Sequence, residues 1–226
     1  MPHPCLQIPI TDYEGHMSHS SVAQAELLAA TLQQAVSEFR PSSLAILGVA
    51  GGNGLERVDP TGVRRVVALD FNREFLGLCT QRHAHRFTRY EAVLHDLTTG
   101  TPAFEAVDLI FAGLLLEYLD CRAFFEYLPS LLSPQGVFVT LLQLPSSELP
   151  AVSRSPFTSL GQLESVFHFV DPGIMRTALA RRDFFLCSEK IVRLKSQKEF
   201  HFAAFRLTNA PSTPPGAAQA VADRKD

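Results

Sequence analysis

A glycine-rich loop and one aspartate give this sequence its clearest chemical signal. The loop, residues 48–54, reads Gly-Val-Ala-Gly-Gly-Asn-Gly and follows a short apolar run. Glycine allows positive φ angles and close approach of the backbone to a ligand, so such a loop can turn a strand sharply around a bound molecule. The next apolar run ends in Asp70, whose carboxylate can accept two hydrogen bonds from a ribose diol. Together they indicate a site for a nucleotide-type cofactor.

The elements that must position this site alternate between two kinds of pattern. Apolar runs typical of buried strands occupy residues 44–48, 65–70, 92–95, 107–112 and 136–142. Helical patterns lie near Gly54 and over residues 72–83, 121–132 and 172–182. This βαβ rhythm predicts an α/β fold, a Rossmann-like doubly wound sheet covered by helices on both faces.

Two long apolar runs near the C-terminus, residues 184–194 and 199–207, bring the expected sheet to seven strands. The polar residues 196–198 join them, which predicts an antiparallel hairpin at the sheet edge. The expected sheet is therefore mixed, with an antiparallel C-terminal hairpin.

The two ends of the chain differ from this central pattern. A polar lead through residues 13–19 precedes an amphipathic helix over residues 20–39, for which Ser18 or Ser20 can serve as N-cap. The tail is rich in Pro, Ala and charge, so we expect it to be disordered. The chain accordingly divides into an N-terminal lid with its helix, a cofactor-binding domain and a tail, over residues 1–40, 41–208 and 209–226.

Composition excludes several classes of protein. With 226 residues, 46% hydrophobic and 19% charged, the chain can form one globular domain with a sizeable core. A net charge of -3 with scattered basic residues gives no surface for wrapping a nucleic-acid backbone. No apolar run approaches the roughly 18 residues of a membrane span, and the N-terminus lacks a secretory signal. We expect a cytoplasmic protein whose partner is a small molecule.

The cysteines indicate neither a metal site nor a disulfide framework. Cys5, Cys79, Cys121 and Cys187 lie far apart, without Cys-x-x-Cys or His-x-Cys spacing. Such a set fits a reducing cytoplasm.

Four segments, in this order and spacing, resemble the class I S-adenosylmethionine-dependent methyltransferases. The loop stands at the family's Gly-x-Gly-x-Gly position, and Asp70 stands at the end of the second strand. His95-Asp96-Leu97 follows the third strand, and residues 108–113 with Glu117-Tyr118 follow the fourth. The resemblance covers residues 44–207 and points more narrowly to bacterial small-molecule enzymes with a short N-terminal lid. It implies a sheet whose last strand runs antiparallel, unlike a nicotinamide-binding Rossmann domain.

The resemblance implies S-adenosylmethionine as cofactor and assigns roles to the loop. Backbone N–H groups there would face the methionine part of the cofactor, whose carboxylate would lie at the N-terminus of the following helix. Asp70 would accept hydrogen bonds from the ribose hydroxyls, and Phe71 would cover one adenine face. The loop residues concerned are Gly48, Ala50, Gly51, Gly52 and Asn53.

Residues after the third and fourth strands would complete this site. By the same resemblance, Asp96 would accept from the adenine amino group, and Leu97 would pack on the ring or donate its backbone N–H. Gly113, Leu114 and Leu115 would line the place where the sulfonium methyl group meets its acceptor.

Two positions depart from the family pattern. Ile46 stands where the family often has an acid that holds the cofactor's amino group, and either Glu56 or Glu117 can compensate or be structural. Ala50 replaces the middle glycine of the loop. Alanine is the smallest substitute for glycine, and it is tolerated there if its φ angle is negative.

Methyl transfer from a sulfonium needs alignment of the acceptor and, for many acceptors, removal of a proton. The leading candidates for the catalytic group lie in the polar lead and after the fourth strand, at Tyr13, His16, Glu117 and Tyr118. Further candidates for a base are His19, His95 and His168. For each, a solvated or structural role is the alternative.

The leading interpretation is a methyltransferase that transfers a methyl group from S-adenosylmethionine to an O, N or C nucleophile of a small molecule. An apolar or aromatic acceptor would lie under the lid, and a homodimer is an open alternative to a monomer. Two other functions remain open at this point. One is an NAD(P)-dependent oxidoreductase, and the other is a non-methylating cyclase or binding protein that keeps the fold and cofactor.

Overall fold

The structure, a computed structural model, describes residues 3–208. These form one sheet of seven strands: β1 Ser43–Leu47, β2 Arg65–Asp70, β3 Arg89–Leu94, β4 Val107–Gly113, β5 Leu132–Gln143, β6 Phe184–Arg193 and β7 Glu199–Leu207. Their order across the sheet is β3-β2-β1-β4-β5-β7-β6. The predicted disordered tail lies outside the described residues.

The pairing of the strands confirms the predicted fold class. Strands β1 to β5 are parallel to one another, whereas β7 is antiparallel to both β5 and β6. The strand order reverses between β1 and β4, which lie side by side. In doubly wound sheets, ligands bind outside the carboxyl ends of the strands at this switch point.

Helices cover both faces of the sheet, as the βαβ rhythm predicts. Helices α2 and α3 enclose a core on one face that includes Leu32 and Phe111, while α4 and α5 enclose the other around Phe124 and Phe138. None of the described helices is long and apolar enough to cross a membrane. Their bounds are α1 Ile10–Ser18, α2 Gln24–Phe39, α3 Arg73–His83, α4 Cys121–Tyr127 and α5 Pro172–Ala180.

The sequence predicted a helix after the glycine loop, and this prediction is wrong. Only a 3₁₀ turn, Leu55–Arg57, follows the loop. Asp59 then accepts hydrogen bonds from the Thr61 backbone N–H and hydroxyl, and its carbonyl accepts from the Val63 N–H. With Pro60 inside it, this turn ends the helical conformation, since proline removes a backbone donor and restricts the residue before it.

Residues 13–18 of the expected polar lead belong to helix α1, and His19 is its C-cap. Its inner face buries His16 and Met17. Ser18 is the last residue of this helix. Helix α2 then starts after Ala23, whose φ is 53° and whose side chain forms no cap. Neither Ser18 nor Ser20 is therefore the N-cap of α2.

Two segments outside the sheet, residues 3–22 and 144–171, contact each other and form what we call the cap. Between them lies a small apolar cluster of its own, formed by Ile8, Leu160 and Leu163. The ring of Phe157 lies against Gly15 of α1, so closely that an added Cβ atom would be 2.2 Å from the ring. The cap is therefore a packed unit rather than two independent loops.

Gly54 allows a stability test of the contact between the glycine loop and α2. Its φ is 100°, and a Cβ atom there would lie 2.6 Å from the Ala29 Cα atom. Since both the backbone conformation and the backbone overlap disfavour a side chain, Gly54→Ala should lower the free energy of unfolding by at least about 2 kcal/mol in urea titrations.

Gly62→Ala is the matched control, because the nearest atom to its added Cβ is 3.9 Å away. We expect its free energy of unfolding to stay within about 0.5 kcal/mol of the wild-type value. Equal stabilities for the two variants would contradict the close approach of α2 to the loop.

Candidate functional site

A cavity of about 950 Å³, open mouth included, separates the carboxyl edge of the sheet from the cap. We call it the large cavity. Gly48, Asp70, Leu114 and Gln143 line its sheet side, where β1, β2, β4 and β5 end. Its cap side includes Ile8, Tyr13, His16, Met17, Leu160, Leu163 and Phe167. Its walls thus combine polar groups at the ends of the strands with a mostly apolar surface of the cap.

A second cavity, of about 590 Å³, lies beside the first over the ends of β2 and β3. We call it the small cavity. Its own walls include His95, Asp96 and Leu97. The two cavities have six lining residues in common: Cys5, Gly48, Asp70, Phe71, Leu115 and Tyr118. They therefore form one elongated cleft across the switch point.

Asp70 lies where these two cavities meet. Its Oδ2 accepts from the Ala50 N–H at 2.9 Å, and its Oδ1 accepts from the Asn72 N–H at 2.8 Å. Burial raises the pKa of this carboxyl, while the backbone hydrogen bonds oppose the rise. Its two oxygens have about four lone-pair positions, so capacity remains beyond the three backbone donors, which are the N–H groups of Ala50, Phe71 and Asn72. The site therefore presents a hydrogen-bond acceptor at the expected ribose position.

The glycine loop has an unusual backbone. Gly48 has a φ of 67°, and Ala50 has a φ of 46°. The condition of a negative φ at Ala50 is therefore not met, and its N–H donates to Asp70 in this left-handed conformation. Left-handed backbone costs an alanine about 1–2 kcal/mol, which the loop's other contacts must offset. Both residues line the large cavity.

The remaining loop residues line neither cavity and instead contact other residues of the protein. Gly51 lies beneath an ion pair between Glu14 of α1 and Arg82 of α3, and its carbonyl accepts from Arg82 at 3.3 Å. Gly52 lies against the ring of His83. Asn53 donates to both the Tyr13 hydroxyl and the Gly48 carbonyl at 3.4 Å. These contacts fasten the cap to the loop.

The acid expected to compensate for Ile46 is not found at the cleft. Ile46 itself is buried in the core. Glu56 is exposed, Glu117 is fully buried, and neither lines the large or the small cavity. With the expected helix also absent, neither a helix N-terminus nor one of these acids marks a place for the methionine end of a cofactor.

Phe71, Asp96 and Leu97 lie together along the small cavity. The His3 ring meets the Phe71 ring edge-on, with centroids 5.3 Å apart. Asp96 Oδ1 accepts from the backbone N–H and hydroxyl of Thr98. Its Oδ2 accepts no hydrogen bond from the described part of the chain, so it is available to a donor in the cavity.

Of the three residues expected beside the transferred group, Leu115 lines both cavities, and the other two differ in position. Leu114 has a φ of 53° and lines the large cavity. Gly113 lines neither cavity, and a Cβ atom there would lie 2.5 Å from Leu28 and 2.8 Å from Phe111. Close packing therefore accounts for a glycine at this position.

His16 is the candidate base whose surroundings suit proton removal. It lines the large cavity and is 4% exposed. Its Nδ1 is 2.8 Å from the Ser155 hydroxyl. Burial, together with the nearby charges of Lys198 and His19, lowers the pKa of its imidazole. At neutral pH the ring is therefore uncharged and can accept a proton.

Tyr13 and Tyr118 also line the large cavity, but both are held protonated. Burial raises the pKa of Tyr13 to about 12 and raises that of Tyr118 as well. The Tyr118 ring packs edge-on against Phe167, with centroids 5.7 Å apart. Both phenols are suited to donating hydrogen bonds to a ligand rather than to removing a proton.

The other candidates lie apart from the large cavity. His19 bonds to Ser21, His95 lines the small cavity and contacts the Gly100 carbonyl, and the exposed His168 lines neither cavity. Glu117 Oε1 accepts from the Gln143 N–H at 2.7 Å, and burial raises its pKa to about 7.

Among the described residues, no group of three His, Cys, Asp or Glu side chains could hold a metal ion.

Several lining residues were missed in the sequence. Cys5 lies at the junction of the two cavities, and Gln24 and Gln143 line the large one. Gln24 donates to Gln143 at 3.4 Å. No motif marked Cys5 or Gln24, which reach the cleft only through tertiary packing, whereas Gln143 is the last residue of β5, where doubly wound sheets form substrate sites.

Residues 46–140 match the family model described as a methyltransferase domain. The matched segment contains the whole glycine loop, Asp70 and Asp96. This match, together with the fold, confirms the resemblance to the class I S-adenosylmethionine-dependent methyltransferases that was found in the sequence. S-adenosylmethionine is the cofactor of that class. No curated protein matches the chain in sequence.

Solved structures show the same fold. The N-methyltransferase NodS from Bradyrhizobium japonicum WM9, in complex with S-adenosyl-L-homocysteine, is 18% identical with a TM-score of 0.60, over 81% of this chain and 87% of that chain. An S-adenosylmethionine-dependent methyltransferase from Mesorhizobium loti is 18% identical with a TM-score of 0.63, over 80% and 99%. The cyclase SpnF is 11% identical with a TM-score of 0.59, over 77% and 80%. At such identities the likeness is one of fold.

Glu117 predicts a pH-dependent stability. Its pKa is about 7 in the folded protein, against an ordinary value of 4.5, because its carboxyl is buried. The folded state therefore holds this proton between about pH 4.5 and 7 while the unfolded state releases it, so stability falls as pH rises through that range. The shift corresponds to a loss of up to about 3 kcal/mol.

Glu117→Gln should remove this loss while its amide oxygen still accepts from the Gln143 N–H. In urea unfolding, the variant should gain stability over wild type between pH 5 and pH 8. A difference between the two proteins that does not change with pH would contradict a neutral Glu117 in the fold.

Proposed function

We propose that this protein transfers a methyl group from S-adenosylmethionine to an O, N or C nucleophile of a small, largely apolar molecule. The observation that carries the proposal is the Asp70 carboxylate at the junction of two cavities, in a fold of the methyltransferase class. One cavity is suited to the adenosine part of the cofactor, and the other to its sulfonium end and the acceptor.

The residues present fit the adenosine part of this cofactor. Asp70 would accept from the ribose hydroxyls, Phe71 would cover the adenine, and Asp96 would accept from its amino group. Each lines the small cavity, and Leu97 adds an apolar wall there. Gly48 and Ala50 would pass closest to the cofactor, because they are the two residues of the glycine loop that line the large cavity.

The cofactor supplies an already activated methyl group, so the protein's task is alignment and proton removal. His16, uncharged at neutral pH, would take the proton of the acceptor. Tyr13 and Tyr118 would donate hydrogen bonds that fix the acceptor's orientation. The cap covers this part of the cleft and would exclude water from it.

The lining of the large cavity supports an apolar or aromatic acceptor. Met17, Phe75, Leu160, Leu163 and Phe167 contribute to its walls. We also propose a cytoplasmic location, since Cys5, Cys79, Cys121 and Cys187 are all free. A division into a lid, a cofactor-binding domain and a tail, and a homodimeric state, remain predictions.

Two alternatives lead to different experimental results. An NAD(P)-dependent oxidoreductase is disfavoured by the antiparallel β7 in the sheet. A non-methylating cyclase is favoured by one observation, the likeness of the fold to that of the cyclase SpnF. Cofactor binding without methyl transfer to any acceptor in a broad screen would support this second function.

Asp70→Asn tests the cofactor site. Because the amide replaces an acceptor by a donor and removes the charge, binding of S-adenosylhomocysteine should weaken by about 1.5–3 kcal/mol in calorimetric titrations. Asp59→Asn is the control, since Asp59 also accepts a backbone hydrogen bond but is exposed and lines neither cavity. Equal affinities for both folded variants would remove Asp70 from the ribose position.

His16→Gln tests the proposed base, once a screen of apolar small molecules has identified an acceptor. We expect kcat to fall about 10²- to 10⁴-fold while the affinity for S-adenosylhomocysteine is retained. In wild type, kcat/KM should stay high below pH 6.5, because the pKa of His16 is lowered. His19→Gln should change neither kcat nor the affinity for S-adenosylhomocysteine. An unchanged kcat in His16→Gln would contradict the assignment.

A further inference from the structure

A third cavity, of about 810 Å³, lies between the tip of the β6–β7 hairpin and the loop after β5. We call it the Lys198 pocket. Among the side chains that line it are three hydroxyls, two cations and one exposed acid: Ser21, Ser153, Ser196, Arg154, Lys198 and Glu148. None of these residues has a role in the cofactor site described above.

Lys198 is a buried cation, 4% exposed. Its Nζ donates to the Ala151 carbonyl at 2.7 Å and to Gln143 Oε1 at 3.2 Å. Within residues 3–208, no carboxylate forms an ion pair with it, and burial alone lowers its pKa to about 8. The ammonium is therefore charged at pH 7 with neutral partners only, and one of its three N–H donors remains for a ligand.

The two acceptors of Lys198, the Ala151 carbonyl and Gln143 Oε1, would still receive a hydrogen bond without the lysine. Gln143 Nε2 already donates to the Ala151 carbonyl at 2.9 Å, and Gln24 donates to Gln143 Oε1. Burying a charge without a counter-ion costs several kcal/mol. A purely structural role would therefore be performed at lower cost by an apolar side chain, which indicates that Lys198 serves an anion.

Ser196 provides a second, independent sign of a missing ligand. Its hydroxyl oxygen is buried and has no hydrogen-bond partner among the described residues. An unsatisfied buried hydroxyl is costly unless a ligand or water bonds to it. Arg154 adds a positive charge to the same pocket. Oxygen atoms of an anion would satisfy all three side chains.

The Lys198 pocket adjoins the large cavity. Ser153 lines both, and the two groups that accept from Lys198, Gln143 and Ala151, line the large cavity. Lys198 also lies close enough to His16 to contribute to the lowering of its pKa, after burial. A molecule of moderate length could thus reach from the apolar cavity to the ammonium.

We propose that the Lys198 pocket binds an oxyanionic group of the acceptor, a carboxylate or a phosphate, while the apolar part of the acceptor occupies the large cavity. The acceptor is then an amphipathic anion rather than a neutral apolar molecule. The identity of the ligand as acceptor rests on the proposed function, whereas the anion site itself does not.

The test uses sodium butyrate and sodium phosphate as probes in ¹H–¹⁵N NMR titrations at pH 7, at ionic strength held constant with sodium chloride. In wild type, at least one probe should give saturable shifts of the Ser196 and Lys198 amides. Lys198→Met should weaken that binding at least tenfold, and Lys195→Met, on the same hairpin but exposed, should not. Two results would overturn the proposal: sodium chloride alone shifting the same amides as much as the probes do, or Lys198→Met binding the probe with the wild-type affinity.

If Lys198→Met does not fold, a second variant provides the test. Ser196→Ala keeps the charge and should weaken binding of the same probe at least threefold, with no loss of thermal stability. Unchanged affinity in this variant would also count against the site. Because the titrations are run with and without S-adenosylhomocysteine, a protein that binds the probe but not the nucleoside contradicts only the proposed function.

Discussion

The carboxylate of Asp70 joins two parts of the backbone on which the whole cleft depends. It accepts the N–H of Ala50 from the glycine loop and the N–H of Asn72 from the start of α3. These bonds hold the loop across the carboxyl ends of β1 and β2, and they fix the φ of 46° at Ala50. A buried carboxylate in this position is costly unless it is well bonded, so the same group organises the loop and presents acceptor atoms to the cleft.

The missing helix after the loop changes how the site is closed. With only a 3₁₀ turn there, no helix dipole faces the methionine end of a cofactor, and α2 packs directly on Gly54. The cap takes over part of the closure: Glu14 pairs with Arg82 across the loop, and Tyr13 accepts from Asn53. The same contacts thus hold both the cap and the loop in place.

The sequence was sufficient for the sheet but not for the cap. Long apolar runs such as β2 and β7 are found where their pattern places them, since burial on both faces leaves little freedom. The helix after Gly54 was mispredicted because the Asp59-Pro60 turn overrides helical propensity. Helix α1 was missed because part of what packs against it lies far along the chain, such as Phe157 against Gly15. Lys198 gave no signal, as its burial depends on tertiary contacts alone.

The central claim is that this cleft binds an adenosyl sulfonium cofactor rather than a nicotinamide one. Isothermal titration calorimetry of the wild-type protein with S-adenosylhomocysteine, and separately with reduced and oxidised nicotinamide dinucleotides, tests it directly. We predict saturable binding of S-adenosylhomocysteine in the micromolar range and no binding of either dinucleotide. Binding of a nicotinamide dinucleotide alone, or of none of the three, would contradict the claim.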